Sequence, residues 1–303
     1  MDIAGEESIS LDPTAARGSL PKDMRCKHCE SARLYRHGFT ATGVRRYKCR
    51  DCGLTFIGAD ALPRMRIPIV IVGAAVSMFY EGLSLNAIRR QLNRIYEFRP
   101  SDSTVYDWAL RFTRTSLDVT RDLAPQVGGA WIAHETEMQI GERTVWVWDV
   151  FDEETRYLLA SKLSTMRCSG DIQRWMNLAI QRAGRTPEQI MADNMARRLD
   201  AIEWAGDSHA EHTPDPSFSV AQSTLATESI RQTLTSRKRV MRGMANMAAA
   251  ELVVGGWQVH YNCLRPHEAL DGATPAAAAG ATTTFKNWTD IVRRDAEAGP
   301  TPI

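Results

Sequence analysis

The chain has 303 residues, of which 44% are hydrophobic and 24% are charged, with 20 Gly, 13 Pro and 6 Cys. This length predicts about two domains, and the composition excludes collagen, wholesale disorder and disulfide-dense scaffolds. The longest uncharged apolar stretch, Ile67–Tyr80, is too short to span a bilayer. Because Met1–Ser8 is acidic and lacks the apolar segment of a secretory signal, the sequence predicts a cytoplasmic protein with no membrane partner.

The net charge of +1 conceals two basic segments. Between Met24 and Ile57 there are eight Lys or Arg and two acidic residues, a net of 8 − 2 = +6, while residues 231–242 hold five basic residues and no acidic one. The rest of the chain therefore carries 1 − 11 = −10. Basic segments on an acidic body predict contact with a polyanion at defined places, and the alternative is an ordinary solvated surface.

Four of the six cysteines form two Cys-x-x-Cys pairs, Cys26 with Cys29 and Cys49 with Cys52, with 19 residues between the pairs. Each pair can supply two thiolates to a tetrahedral ion, so this spacing predicts a zinc ribbon. A module of this size cannot build a sufficient core alone, and the metal would supply much of its folding energy. Disulfides are the alternative, which a cytoplasmic location disfavours.

The segment from Arg64 to Leu117 predicts helices. Ser84 is a candidate N-cap, and Leu85, Ile88 and Leu92 form an apolar stripe at helical spacing. A second helix begins at Ser101 or Asp102. Two such helices predict a helix-turn-helix whose second helix enters the major groove, and the alternative is a helical hairpin without DNA contact. The candidate groove-facing residues are Ser103, Thr104 and Tyr106.

Beyond Gly128 and Gly129 the pattern changes from helical to extended. The segments 131–137, 144–151 and 157–163 predict three strands, a helix follows over 169–184, and a short strand, 189–193, ends in Asp193. Residues 206–223, with Pro214 and Pro216, predict an irregular loop. Three antiparallel strands, a helix and a strand with an acid at its tip form the element order of a ribonuclease H-like α/β core.

The C-terminal part carries a family resemblance. It contains Arg239-Val240-Met241-Arg242-Gly243, then Trp257, Tyr261-Asn262 and Arg265-Pro266-His267. With the cysteine pairs and the strand order, this series resembles the compact DDE transposases of bacterial and archaeal insertion sequences. The resemblance implies an α/β chain with a ribonuclease H-like mixed-sheet domain, preceded by a zinc ribbon and a small all-helical helix-turn-helix domain. The implied organisation is a disordered N-terminus (1–21), the zinc ribbon (22–60), the helix-turn-helix region (61–124), the transposase domain (125–281) and a C-terminal tail (282–303).

The family's chemistry requires three carboxylates that hold two divalent metal ions for an in-line phosphoryl displacement. By resemblance, Asp193 is the second carboxylate and Glu228 is the third, and they would hold magnesium or manganese. The family's first strand reads Trp-x-x-Asp-Glu-Thr, but here it reads Trp131-Ile132-Ala133-His134-Glu135-Thr136. His134 therefore occupies the position of the first Asp. Because side chains alternate across a strand, Glu135 and Glu137 should lie on the face opposite His134 and cannot replace it.

The resemblance implies a nucleoid-associated DNA-binding protein that recognises transposon ends or related duplex DNA, acts as a homodimer, and has a strand-transfer site impaired by His134. Two alternatives remain open: an active transposase with a re-tuned His-Asp-Glu site, and a retained DNA-binding regulator that does not cut. Besides the three groove-facing candidates above, the predicted DNA contacts are Arg45, Arg46, Lys48, Arg231, Arg237, Lys238, Arg239 and Arg242.

Overall fold

The computed structural model describes residues 24–26, 29–39, 45–57, 67–166, 168–192, 219–222, 234, 237–241, 244 and 246–298. The chain divides into two compact units, Met1–Pro68 and Ile69–Ile303. No helix in these described ranges is long and apolar enough to cross a membrane.

The first unit contains a three-stranded antiparallel sheet in the order β1-β2-β3. Its strands are β1 (Leu34–Phe39), β2 (Arg45–Cys49) and β3 (Thr55–Ile57). Its small core consists of Cys26, Leu34, Cys49 and Phe56. Since two of these four core residues are cysteines, the apolar core and the cysteine cluster are one structure.

The second unit begins with three helices, α1 (Ile69–Tyr80), α2 (Leu85–Tyr96) and α3 (Asp102–Val119). The predicted N-cap of α2 is confirmed, because Ser84 Oγ accepts a hydrogen bond from the Ala87 amide at 3.2 Å. Ile88 and Leu92 are buried, as the apolar stripe predicts.

The mixed five-stranded sheet has the order β6-β5-β4-β7-β8. Its strands are β4 (Ala130–Ile140), β5 (Arg143–Asp152), β6 (Leu158–Ser164), β7 (Gln189–Ala192) and β8 (Ser219–Gln222). Strands β6, β5 and β4 pair antiparallel to one another, whereas β7 runs parallel to β4 and β8 runs parallel to β7. Together with the helices around it, this sheet is the predicted ribonuclease H-like α/β core. Strand β8 lies within 206–223, so the prediction of an irregular loop is wrong for these four residues.

Helices pack on both faces of this sheet. The remaining helices are α4 (Ser169–Ala183), α5 (Met247–Val259), α6 (Pro275–Ala278) and α7 (Trp288–Ala298), with a π turn at His260–Leu264, a 3-10 turn at Glu268–Leu270 and helical residues at 237–240. On one face Trp148 of β5 lies against Trp175 of α4, with ring centroids 6.2 Å apart. On the other face Phe151 of β5 meets Tyr261, 5.6 Å between centroids. The face opposite α4 is therefore covered by the segment that follows α5.

The C-terminal helix α7 belongs to this core, although the sequence predicts a tail over 282–303. Trp288, Ile291 and Val292 are buried, and Trp288 stacks on Tyr80 of α1 at 4.8 Å between ring centroids. Helix α3 likewise packs along α5. The three helices after residue 68 are therefore part of the same compact unit as the sheet.

Candidate functional site

The four paired cysteines converge in the first unit. Their sulfur atoms all lie within 4.8 Å of one another, with Cys26 Sγ 3.6 Å from Cys52 Sγ and Cys29 Sγ 3.6 Å from Cys49 Sγ. None of them forms a disulfide. A tetrahedral ion with metal–sulfur bonds of about 2.3 Å separates its ligands by about 3.8 Å. The cluster could therefore hold a metal ion, and it is the one such group of His, Cys, Asp or Glu found in the described part of the chain.

The two cysteine pairs share a turn geometry. The residue after each pair, Glu30 in one and Gly53 in the other, has a left-handed backbone with φ of 57° and 72°. Their amides donate to the carbonyls of Cys26 and Cys49, at 2.8 and 3.2 Å. Such turns aim both sulfurs of a pair at one point. Backbone amides of Cys52 and Asp51 also lower the pKa of the Cys49 thiol to about 6, which favours the thiolate that a metal binds.

His134 of β4 lies directly opposite Asp149 of β5, and Asp149 lies opposite Ser161 of β6. Residues directly opposite each other on neighbouring strands project to the same face of a sheet. His134, Asp149 and Ser161 thus form a row on the face opposite α4. Glu135 is instead paired with Trp148 and therefore lies on the α4 face, as alternation along the strand predicts.

Asp149 is held by two hydrogen-bond donors. Its Oδ1 accepts from Ser161 Oγ at 2.6 Å and from Arg237 Nη1 at 2.5 Å, and neither side chain of the Asp149–Arg237 pair is exposed. The Arg237 guanidinium lies 5.3 Å from the Trp257 ring centroid. Asp149 Oδ2 and the Nε and Nη2 of Arg237 have no hydrogen-bond partner among the described residues. The ion pair of Asp149 and Arg237 is therefore buried next to His134.

This position of Arg237 differs from the prediction that it contacts DNA. Its side chain is enclosed by β5, β6 and α5, whereas a phosphate contact requires a surface guanidinium. Lys238 and Arg239, the next two residues, are exposed. The basic run is therefore divided, since one of its cations neutralises an interior carboxylate.

The remaining catalytic candidates fall outside the described residues. Asp193 and Glu228, and the basic residues Arg231 and Arg242, are in this group. The described part of β7 ends at Ala192, which is paired with Ala133, the residue before His134.

The predicted groove-facing residues lie at the start of α3. Ser101 Oγ is 2.8 Å from Ser103 Oγ and 2.7 Å from Thr104 Oγ1, so both predicted hydroxyls take part in the cap of the helix. Tyr106 is half-buried. In the first unit, Arg46 is exposed while Lys48 is half-buried, and the Arg45 guanidinium lies 3.9 Å from the Phe39 ring centroid.

Asp149 was not among the residues that the sequence singled out. Its segment, Val145-Trp146-Val147-Trp148-Asp149-Val150-Phe151, is apolar except for this one acid. A carboxylate within a strand of buried apolar residues requires a partner, and that requirement was the available signal.

Two sequence comparisons match parts of the chain. Residues 221–275 match the family model described as the integrase core domain. The insertion element iso-IS1N protein InsA of Shigella dysenteriae is 44% identical over 34 residues, which are 11% of this chain. The chain spans 38% of that relative's length.

Two solved structures have similar chains at low sequence identity. The HTLV-2 integrase catalytic core domain in complex with magnesium has a TM-score of 0.37 and 12% identity, over 52% of this chain and 98% of that chain. A simian T-cell lymphotropic virus intasome in complex with the PP2A regulatory subunit B56 gamma has a TM-score of 0.32 and 14% identity. The match covers 76% of this chain and 77% of that chain. The order and direction of the five strands in this chain are those of the predicted ribonuclease H-like core. The integrase core match and the short insertion-element match are in line with the resemblance to insertion-sequence transposases, and the sheet has the strand order expected of a ribonuclease H-like domain.

Proposed function

We propose that this chain recognises duplex DNA related to transposon ends, and that its metal-dependent strand-transfer site is impaired. The impairment of the site is proposed from one observation. His134 and Asp149 lie side by side on one face of the sheet, and Asp149 is already paired with Arg237. The first part is supported by the integrase core match and by exposed or half-buried cations. The proposed phosphate contacts are Arg45, Arg46, Lys48, Lys238 and Arg239, with Arg231 and Arg242 outside the described residues.

The proposed strand-transfer site consists of His134, Asp193 and Glu228. Magnesium bound there would supply Lewis-acid stabilisation of the attacking and leaving oxygens of a phosphodiester. The described part of the site does not fit that ion, because Mg²⁺ requires hard oxygen ligands and position 134 offers an imidazole nitrogen. On the face that His134 shares across β4, β5 and β6, Asp149 is the one carboxylate, and the Arg237 guanidinium already neutralises it.

The two alternatives make different use of the same residues. An active enzyme would use a His-Asp-Glu set with manganese, which accepts nitrogen ligands more readily than magnesium does. A retained regulator would bind DNA and never cut it. An impaired site differs from both alternatives, because the chain would bind DNA but cut it only weakly in Mg²⁺.

Three further features are proposed on the same basis. Zinc is the ion that the four cysteine thiolates would hold, because they offer four soft donors with tetrahedral separations. The divisions at residues 22, 61 and 125 are proposed as the limits of the functional regions, whereas the predicted tail over 282–303 contains α7 and is part of the second unit. A homodimer, with one chain at each DNA end, is the proposed assembly in a nucleoid-associated setting.

The experiment compares wild-type chain with His134→Asp and Asp193→Ala on a duplex carrying the sequences that flank its own coding region. We expect DNA binding that weakens as salt rises, little cutting in Mg²⁺, and increased cutting by His134→Asp. Asp118→Asn, a change at an exposed surface ion pair, is the matched control.

The outcomes separate the three functions. Strong wild-type cutting in Mn²⁺ that Asp193→Ala abolishes would support the re-tuned enzyme instead. Specific binding with no cutting in any metal by any of the variants would support the regulator. Failure of the wild-type chain to bind any duplex at low salt would contradict the whole proposal.

A further inference from the structure

The outer face of the three-stranded sheet in the first unit carries aromatic and basic side chains. Tyr35 of β1 is paired with Lys48 of β2, and Lys48 is paired with Thr55 of β3, so these three side chains project to the same face. Tyr47 and Phe56 form the neighbouring pair, and Phe56 belongs to the apolar core. Because side chains alternate along a strand, the row that contains Tyr35 lies on the face away from that core.

Two aromatic rings lie next to each other on this outer face. His37 follows Tyr35 by two residues in β1, and their ring centroids are 6.1 Å apart with the planes at 82°. His37 is exposed and Tyr35 is half-buried. The Arg50 guanidinium lies 5.7 Å from the Tyr35 ring centroid, which places a cation beside the ring. The face therefore offers aromatic surface to the solvent together with positive charge.

The charged groups around the two rings are basic. Arg46 precedes Lys48 by two residues in β2, and neither side chain has a hydrogen bond or ion pair with a residue that the structure describes. The sequence between Arg33 and Arg50 contains no acidic residue. Asp51, which follows it, is already paired with Arg33 at 2.9 Å. The outer face therefore complements the charge of a phosphate backbone.

We propose that this outer face binds unpaired nucleotides of a DNA strand, with bases stacked on Tyr35 and His37 and phosphates held by Arg46, Lys48 and Arg50. The inference rests on the proposed function, in that the chain must bind DNA, and it adds unpaired nucleotides to the duplex proposed there. Proteins that bind single-stranded nucleic acid combine a basic surface with aromatic rings on which the bases stack. Both features occur here on one face of one sheet.

Paired DNA fits this face less well than unpaired DNA does. In a duplex the flat surfaces of the bases are covered by their neighbours, whereas unstacked bases can lie against aromatic side chains. The major groove admits a two-stranded ribbon, but the row from Tyr35 through Lys48 to Thr55 extends across three strands. Attraction to phosphate alone would account for the basic residues and leave the two rings without a role.

The test measures how tightly the full chain binds two fluorescently labelled probes, using fluorescence anisotropy. One probe is a blunt DNA duplex, and the other is the same duplex with a short single-stranded extension. We expect the wild-type chain to bind the extended probe more tightly. Tyr35→Leu and His37→Leu should each weaken binding to the extended probe by about 5- to 150-fold, the contribution of one stacked base. Their affinity for the blunt probe should equal that of the wild-type chain.

Two further variants serve as controls. Tyr35→Phe keeps the ring and should keep the preference for the extended probe. Phe39 is also exposed, but it is paired with Arg45, which shares the face of Tyr47 by alternation along β2. Phe39→Leu should therefore leave the preference unchanged. Circular dichroism and thermal melting check that every variant is folded.

Four results would overturn the inference. Equal affinity of the wild-type chain for the two probes would mean that unpaired nucleotides are not recognised. A preference that persists in both Tyr35→Leu and His37→Leu would place the contact elsewhere in the chain, and equal weakening on both probes would make this face a duplex contact. Tighter binding to an extension made of RNA than to one made of DNA would assign the face to RNA. By contrast, a wild-type chain that binds neither probe would contradict the proposed function itself.

Discussion

Asp149 and Arg237 form an ion pair in the interior of the protein, with Oδ1 and Nη1 2.5 Å apart and neither side chain exposed. The partners are 88 residues apart in sequence. The pair joins the centre of β5 to the helical segment at 237–240, on the face that carries His134. It therefore anchors the described residues 237–240, which include the exposed Lys238 and Arg239, to the sheet.

Removing one partner of this pair should strongly destabilise the protein. Arg237→Met should lower the free energy of unfolding by about 3–5 kcal/mol, because the Asp149 carboxylate is left charged and buried. The double variant Asp149→Leu, Arg237→Met should recover much of this loss, since no buried charge then remains. Urea denaturation followed by circular dichroism measures both.

The control for this prediction is the exposed pair of Asp118 and Arg121. Asp118→Asn should change the free energy of unfolding by less than about 1 kcal/mol, because solvent screens that pair. If Arg237→Met were as mild as this control, the buried pair would not contribute to stability in the way its geometry indicates.

The cysteine cluster should bind about one zinc ion per chain, and it should release that ion on acidification. Metal binds the thiolates, so protons compete with it, and zinc affinity should increase with pH. The thiols differ in how readily they ionise, since the amides of Cys52 and Asp51 lower the pKa of Cys49 to about 6, whereas the pKa of Cys29 is raised to about 12. Elemental analysis and a chromophoric chelator, used across a pH series, measure occupancy and release.

The matched variants are Cys49→Ser and Cys168→Ser. The first removes a sulfur of the cluster and should abolish stoichiometric zinc, while Cys168 is exposed and lies outside the cluster. Full zinc occupancy in Cys49→Ser, or disulfides in place of metal in the wild-type chain, would contradict the prediction.

Gly256 permits a close approach between α5 and the helices α1 and α3. A Cβ atom there would lie 2.1 Å from the Tyr80 hydroxyl and 2.7 Å from Thr113 Cγ2, and Tyr80 and Thr113 are hydrogen-bonded in the core. Gly256→Ala should therefore lower the free energy of unfolding by about 1–3 kcal/mol through overpacking. Thermal or urea denaturation measures the change.

A control is available in Gly170, which is helical. A Cβ atom at this position would have only Arg174 Nη1 near it, at 3.8 Å. Gly170→Ala should be neutral or stabilising by up to about 1 kcal/mol, because alanine favours a helix more than glycine does. Equal effects of the two changes would show that helix propensity, and not the contact with Tyr80, determines the result at 256.

Much of the architecture could be predicted because its signals are local. The alternation of β4, the aromatic and β-branched residues of β5, and the serine cap of α2 each depend on a few neighbouring residues. The cysteine cluster could be predicted from spacing alone, because two residues between a pair of cysteines place both sulfurs on one side of a turn. The histidine at position 134 could be identified for the same reason, because the residues around it match the family's first strand and only this position differs.

The roles of Asp149, Arg237 and α7 could not be predicted in this way. In the sequence, Arg237 belongs to a basic run and residues 282–303 have few apolar positions, so both suggest solvent-exposed structure. Which cation turns inward depends on a carboxylate 88 residues away, and the burial of Trp288 depends on Tyr80 and His260. Local sequence patterns were sufficient to predict α2, the strands β4 to β7 and the residue types available for chemistry, but not β8 or α7. The tertiary structure alone decided which charges are paired in the interior and which helix face stays exposed, because those outcomes depend on contacts between segments far apart in the chain.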